Sequence, residues 1–348
     1  MIRVLIIDDS ALVRKVLTET LSGYDGIEVV GTATDPYVAR EKIAQLRPDV
    51  LTLDIEMPRM DGLSFLEKLM AHHPMPVVIV SSLAPEGSEA AVRALALGAI
   101  EVVSKPGSAY STPQDARRLV EAIRAGASAR IARPATGVRS APAASRRSER
   151  RPLVTTHKVL AIGASTGGPA AIETILRALP ANAPGTVIVQ HMPGQFTTAF
   201  AARLNQVCAM EVREARDNDP IVPGLALIAP GGHHVVVQQN GARYSVRIKD
   251  GPPVHHQRPA VDVLFLSVAR SAGRNAIGVL LTGMGADGAQ GLKALRMSGA
   301  RTLVQDERTS VVWGMPREAV RLDAAEEILA LPQIAPAILR LLGGARVR

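Results

Sequence analysis

The sequence predicts an α/β protein of two domains: an N-terminal (βα)5 unit, then a doubly wound, mostly parallel sheet carrying one antiparallel hairpin. Three observations point there. Short apolar runs alternate with stretches of helical period along most of the 348 residues. The alternation stops once, across residues 124–151, where eight arginines and one glutamate sit among Ala, Ser and Pro. It then resumes, interrupted only by alternating residues around Asn240-Gly241.

In the first unit, strands are expected at "VLIID" (4–8), "EVVGTA" (28–33), "DVLTLD" (49–54), "VVIVSS" (77–82) and "IEVVSK" (100–105). Helical spacing separates them, as in "SALVRKVLTETL" and "VAREKIAQL". Five strand–helix units ending near residue 122 make a parallel sheet wrapped by helices. Residues 123–155 read as a linker, because they hold too few large apolar residues to bury a core. The second domain, 156–345, offers strands at "VLAIGA" (159–164), "TVIVQ" (186–190), "IGVLLTG" (277–283) and "RTLVQD" (301–306). Within it, "HHVVVQQNGARYSVRIKD" (233–250) alternates on both sides of Asn240-Gly241, a two-residue hairpin signal.

Composition removes several function classes. Most of the net charge of +8 lies in the linker, and four Phe, four Tyr and one Trp without basic–aromatic interleaving argue against a nucleic-acid platform. A single cysteine, Cys208, excludes an internal disulfide, fits a reducing cytoplasm and reads as a packed residue rather than a nucleophile. The start, "MIRVLIIDDS", has no signal-peptide pattern, and no apolar run reaches the roughly 20 residues that membrane insertion needs.

Two sets of residues carry chemistry. Asp8 and Asp9 end the first strand and Asp54 the third, at the carboxyl edge where open parallel sheets bind ligands. Carboxylates gathered there repel one another unless a cation sits among them, and oxygen ligands suit Mg2+. Ser81 and Lys105 end the fourth and fifth strands, placed to bind the oxygens of a phosphoryl group on Asp54. Helix capping explains one of the Asp8–Asp9 pair but not the other three residues. "VLIIDDSALVRKVL", "DVLTLDIEMPRMDGLSFLEKL", "VVIVSS" and "SKPG" resemble the receiver domain of two-component response regulators. That resemblance implies phosphorylation of Asp54 by a histidine kinase. It also implies Mg2+ held by Asp9, Asp54 and the backbone carbonyl of Glu56, with Asp8 in an outer shell and Ser81 and Lys105 sensing the phosphoryl group. One position departs from the pattern. Val102 stands where an aromatic switch residue is expected.

In the second domain, "KVLAIGASTGGPAA" runs from a strand through a glycine-rich turn into a helix. A dinucleotide turn would have glycine where Ser165 stands, and an acidic residue where the next strand ends in Gln190 and His191. Gly163-x-Ser165-x-Gly167 instead has the small flanks that let a serine hydroxyl stand clear. With His191 ending the next strand and Asp287 following "VLLTGMGA", three strands can deliver a hydroxyl, an imidazole and a carboxylate to one edge. Amides at Thr166 and near Met284 are candidate oxyanion donors. Ser165 and Asp287 could each cap a following helix instead. His233–His234 and His255–His256 have no neighbouring acidic or cysteine set in the sequence, so they read as loop or substrate-wall residues rather than metal ligands.

"IGASTGGP", "QHMP", "IAPGGHH", "RPAVDVLFLSVA", "LTGMGADGAQGL" and "GMPREAV" resemble the catalytic domain of the chemotaxis protein-glutamate methylesterases. The resemblance implies a Ser165–His191–Asp287 triad that needs no cofactor. It implies as substrates the methylated cytoplasmic domains of chemoreceptors, hydrolysed to glutamate and methanol, and receptor glutamines, which are deamidated. It further implies that the receiver covers the catalytic cleft until Asp54 is phosphorylated.

Overall fold

The computed structural model describes residues 1–81, 85–105, 113–129 and 157–342. Ser82, Pro106, Gly107, most of the expected linker (130–155) and residues 343–345 lie outside the described residues.

The N-terminal sheet contains β1 (Ile2–Ile7), β2 (Ile27–Ala33), β3 (Val50–Leu53), β4 (Val77–Ser81) and β5 (Glu101–Ser104). All pairings are parallel, in the order β2-β1-β3-β4-β5. Its helices are α1 (Ala11–Ser22), α2 (Pro36–Leu46), α3 (Gly62–His72), α4 (Pro85–Ala96) and α5 (Pro113–Ser128). Local chemistry starts them. The Ser10 hydroxyl accepts from the Val13 amide at the head of α1, Asp35 accepts from Tyr37 and Val38 ahead of α2, and Asp61 accepts from Ser64 ahead of α3. Alternate residues of β1 feed opposite cores: Val4 and Ile6 join Leu17, Leu119 and Ile123, whereas Leu5 and Ile7 join Phe65 and Leu66. That packing also carries α5 past residue 122, because Ile123 and Ala125 are fully buried. The first residues of the expected linker are therefore helix.

The second sheet has seven strands, all parallel: β6 (Val159–Ala164), β7 (Gly185–Gln190), β8 (Glu211–Glu214), β9 (Leu225–Ile228), β12 (Ala276–Leu280), β13 (Arg301–Gln305) and β14 (Glu327–Leu329). Their order is β14-β13-β12-β6-β7-β9-β8. Every residue of β6 and β7 is buried, as expected of strands covered on both faces. The covering helices are α6 (Gly168–Ala178), α7 (Gly194–Val207), α8 (Val261–Ser271), α9 (Ala289–Met297), α10 (Met315–Arg321) and α11 (Leu331–Leu342). The hairpin, β10 (His234–Asn240) with β11 (Arg243–Lys249), is a separate antiparallel two-stranded sheet. Asn240 pairs with Arg243, so the turn residues are Gly241 and Ala242, one position beyond the sequence reading. Only Gly241 has positive φ (61°), which is how a turn with glycine at its first central position matches strand twist.

The two units are packed together. Helix α4 lies against α7 and α6, and one apolar cluster runs from Ala91, Leu95 and Val102 to Ile172, Phe196 and Phe200.

Candidate active site

Each sheet has a point from which strands are added in opposite directions, and such a switch opens a crevice at the carboxyl ends of the flanking strands. In the second sheet it falls between β6 and β12. Ser165 directly follows β6, His191 follows the adjacent β7, and Asp287 lies in the loop after β12.

The serine turn is stitched on three sides. The Ser165 amide donates to the Thr282 carbonyl (3.0 Å), and the Ser165 carbonyl accepts from the Gly168 amide (2.7 Å) and from Gln190 Nε2 (2.9 Å). The His191 amide donates to the Ala164 carbonyl (3.2 Å). Two glycines permit this closeness. Gly167 has φ of 77°, a conformation that costs a side-chain-bearing residue, and a Cβ on Gly283 would meet Ser165 Cβ at 2.7 Å.

His191 Nε2 lies 2.8 Å from Asp287 Oδ2, with the two residues 5 % and 2 % exposed. Asp287 Oδ2 also accepts from the Val261 amide (2.7 Å), and Oδ1 from the Asp262 amide (2.9 Å). Burial alone would raise the Asp287 carboxyl. His191 and the two amides outweigh it and hold the group below the ordinary carboxylate range. With Asp287 ionised, Nε2 carries the ring proton and donates it. Nδ1 is left buried, without a hydrogen-bond partner among the described residues, and available as a base. Among those residues, the Thr166 and Met284 amides also have no backbone acceptor, as an oxyanion site requires.

Neither helix-capping alternative holds. The N-cap of α6 is Gly167, with no side-chain bond, and the N-cap of α9 is Gly288, likewise unassisted. Asp287 does cap a helix, but it is α8, whose first amides it binds while orienting the ring. The histidine pairs separate too. His234 is buried, with Nε2 3.0 Å from the Pro252 carbonyl and Nδ1 accepting from the Ala260 amide (3.2 Å), a structural role. His255, in contrast, does have an acidic neighbour: its Nε2 lies 3.0 Å from Asp262 Oδ2. The other Asp262 oxygen accepts from the Gly291 amide at 2.7 Å. The acid was hidden in sequence because it sits inside a helix, seven residues from its partner. Gln190 and Thr282 were also unsignalled, the latter with a hydroxyl that donates to the Thr166 carbonyl (2.9 Å) and accepts from the Val312 amide (3.0 Å).

The first sheet's switch point lies between β1 and β3 and brings together Asp8, Asp9 and Asp54, whose carboxylate oxygens fall within 4.8 Å of one another. Lys105 Nζ lies 2.7 Å from Asp54 Oδ2 and 3.1 Å from Asp8 Oδ2. Burial pushes the Asp54 carboxyl up to about 6, and nearby Asp8 adds to it, although the Lys105 ammonium and the Glu56 amide oppose the rise. One ammonium therefore leaves this set short of positive charge. Oxygen-only donors with that deficit fit a hard divalent cation. Ser81 is buried at the end of β4.

The receiver side reaches the serine turn itself. Thr166 Oγ1 donates to Glu101 Oε2 at 2.7 Å, and the Gly167 amide donates to the Ile100 carbonyl at 3.3 Å. Nearby, Gln257 Nε2 lies 3.5 Å from Glu121 Oε2 of α5. Ser165 is 7 % exposed in this arrangement.

Comparison with known proteins places each unit in a family. Residues 160–338 match the CheB methylesterase family and residues 4–124 the response regulator receiver domain. A protein-glutamate methylesterase/protein-glutamine glutaminase of Syntrophus aciditrophicus is 56 % identical over 98 % of this chain and 99 % of its own length. Another, from Anaeromyxobacter dehalogenans, is 55 % identical over 98 % and 96 %. The crystal structure of the Thermotoga maritima CheB methylesterase catalytic domain superposes with a TM-score of 0.52 at 34 % identity, covering 53 % of this chain and 98 % of that one. With a receiver domain ahead of a methylesterase domain and relatives alike over nearly its whole length, the chain belongs to the CheB protein-glutamate methylesterase/protein-glutamine glutaminase family.

Proposed function

We propose that Ser165, His191 and Asp287 hydrolyse glutamyl methyl esters on chemoreceptor cytoplasmic domains, and that Asp54 governs the rate. The observation that carries this reading is the buried His191–Asp287 pair beside the serine turn, with Nδ1 unbonded. Ser165 Oγ attacks the ester carbonyl carbon and gives its proton to His191 Nδ1. The amides of Thr166 and Met284 receive the negative charge that develops on the carbonyl oxygen. Collapse returns the proton to the methoxy oxygen, methanol leaves, and an acyl-enzyme remains. Water, deprotonated by His191, then attacks the acyl carbon and frees glutamate and the serine. A glutamine side chain passes through the same steps with ammonia leaving.

In the receiver, Asp54 accepts a phosphoryl group from a chemotaxis histidine kinase. Asp8, Asp9, Asp54 and the Glu56 carbonyl would hold Mg2+, which when bound neutralises the carboxylates and polarises the phosphoryl oxygens. Lys105 pairs with Asp54 beforehand and stays beside the added charge. Unphosphorylated, the receiver covers a serine too buried to meet a receptor helix. Phosphorylation loosens that cover. Among the described residues no helix is long and apolar enough to cross a membrane, and we place the enzyme in the cytoplasm beside the receptors.

The test is mass spectrometry of a methylated receptor fragment incubated with phosphorylated wild type and with Ser165→Ala. Loss of methyl groups with the wild type alone is expected. Equal loss with both proteins would remove Ser165 from the chemistry.

A further inference from the structure

An enzyme that releases glutamate side chains holds one of its own against the nucleophile turn. Glu101 is the first residue of β5, and its Oε2 accepts from the hydroxyl of Thr166, the residue directly after Ser165. Its neighbour Ile100 takes the next amide of the same turn, at Gly167. From the geometry we infer that the Thr166 hydroxyl is the donor that receives the glutamyl carboxyl group of the substrate, and that Glu101 occupies that position as an internal product analogue. The inference rests on the esterase reading and deepens it. The receiver does more than cover the cleft: it fills it with the chemical group that the reaction produces.

The surroundings match a site for a carboxyl group. Thr166 is 3 % exposed, so its hydroxyl has lost water and needs an acceptor. In the closed arrangement Glu101 supplies one; in the open arrangement a glutamyl side chain reaching Ser165 presents its own oxygens at the neighbouring residue. Burial holds the Glu101 carboxyl above its ordinary range, against the opposing effects of the Thr166 hydroxyl, Arg118 and His191. The position itself rests on the contact: Glu101 is bonded to the residue directly after Ser165, and its neighbour Ile100 to the one after that. Apolar contacts between α4 and α7 could shut the cleft with any side chain at position 101; a glutamate bonded to the residue after the nucleophile is the specific feature.

The test uses the full-length, unphosphorylated chain and the rate at which a serine-reactive fluorophosphonate labels Ser165, read by mass spectrometry. Glu101→Ala should label about tenfold faster than wild type, the effect of one buried hydrogen bond on an equilibrium. N-acetyl-L-glutamate amide should then slow labelling of Glu101→Ala in a saturable way, while N-acetyl-L-alanine amide should not. Adding Thr166→Val should abolish this protection, and Thr166→Ser should restore it. In receptor demethylation, Thr166→Val in the Glu101→Ala background should raise KM more than it lowers kcat. Equal labelling of wild type and Glu101→Ala, or protection that survives Thr166→Val, would overturn the inference while leaving Ser165 an active nucleophile. No labelling of any folded variant would overturn the esterase reading with it.

Discussion

Replacing Asp287 by Asn tests the triad where it is most tightly specified. The carboxylate accepts three hydrogen bonds, from His191 Nε2, the Val261 amide and the Asp262 amide, all between 2.7 and 2.9 Å. An asparagine amide offers one acceptor atom and one donor in the same volume. If its nitrogen takes the Oδ1 place, it meets the Asp262 N–H and one bond is lost. If it takes the Oδ2 place, it opposes the Val261 N–H and can bind His191 only when Nε2 is bare. The ring proton then sits on Nδ1, and the base that should receive the Ser165 proton is blocked. Either arrangement leaves at least one buried donor unsatisfied, a stability cost of about 1–3 kcal/mol. The second also costs about 10,000-fold in kcat, the order seen when an orienting aspartate is made neutral in serine hydrolases, or about 5 kcal/mol of barrier. The assay is methanol release from a methylated receptor fragment by the phosphorylated full-length protein, with thermal melting alongside. An Asp287→Asn enzyme within about tenfold of wild-type kcat would show that the first arrangement prevails; a folded Asp287→Ala enzyme within about tenfold, in which no side-chain acceptor is left for Nε2, would refute the assignment of Asp287 and, with it, the role given to Nδ1.

Three further outcomes follow from the same contacts. Gly283→Ala drives a methyl group onto the Met315 sulfur and to 2.7 Å from Ser165 Cβ, so kcat should fall about 100-fold, since a shift of about 1 Å at the nucleophile suffices; an unchanged kcat would show that the turn tolerates displacement. Burial on closure, with Glu121 adding to it, makes Glu101 bind its proton more tightly against the opposing Thr166, Arg118 and His191, so closure strengthens as pH falls and relaxes as pH rises through the closed-state pKa. The ratio of basal to phosphorylated activity, in which pH effects on the shared chemical step cancel, should therefore rise as pH climbs above the ordinary glutamate range, and Glu101→Gln should flatten it. Cys208 should react slowly with thiol-directed reagents at neutral pH, because burial, with Glu173 adding to it, pushes its thiol up to about 11; rapid modification of the native protein would contradict that.

Most of the framework could be read from periodicity because parallel strands covered on both faces are continuous apolar runs. β6 was expected at residues 159–164 and spans Val159–Ala164. What escaped were short or peripheral strands. β8 and β14 sit at the edges of their sheet, with only three or four residues each and charged ones among them, so neither shows an apolar run. β9 is the four-residue apolar run Leu225–Ile228, short enough to pass for part of a loop. Ser165, His191 and Asp287 could be picked out because each follows one of three adjacent strands, β6, β7 and β12, at the same sheet edge. Asp262 could not, because helix α8 carries it to His255 and no local pattern reports that contact. Glu101 was hidden for a further reason: in "IEVVSK" it reads as one residue of a strand, and its partner Thr166 lies 65 positions away in the other domain.

That contact also suggests how the receiver works without a ring at Val102. Strand β5 has Lys105 just past one end, bonded to Asp54, and Glu101 at the other, bonded to Thr166. The two are four residues apart, roughly 13 Å along a strand. β5 is an edge strand, paired only with β4, so a displacement along its length disturbs a single ladder. On the proposed regulation, a phosphoryl group added to Asp54 would move the anionic oxygens that hold Lys105, and the strand would carry that movement to Glu101 whatever the side chain at position 102. Lys105→Met should therefore take up phosphate on Asp54 yet keep Ser165 labelling near the unphosphorylated rate. Full acceleration of labelling in phosphorylated Lys105→Met would show that the signal bypasses β5, and would shift the coupling to the α4–α7 contact instead.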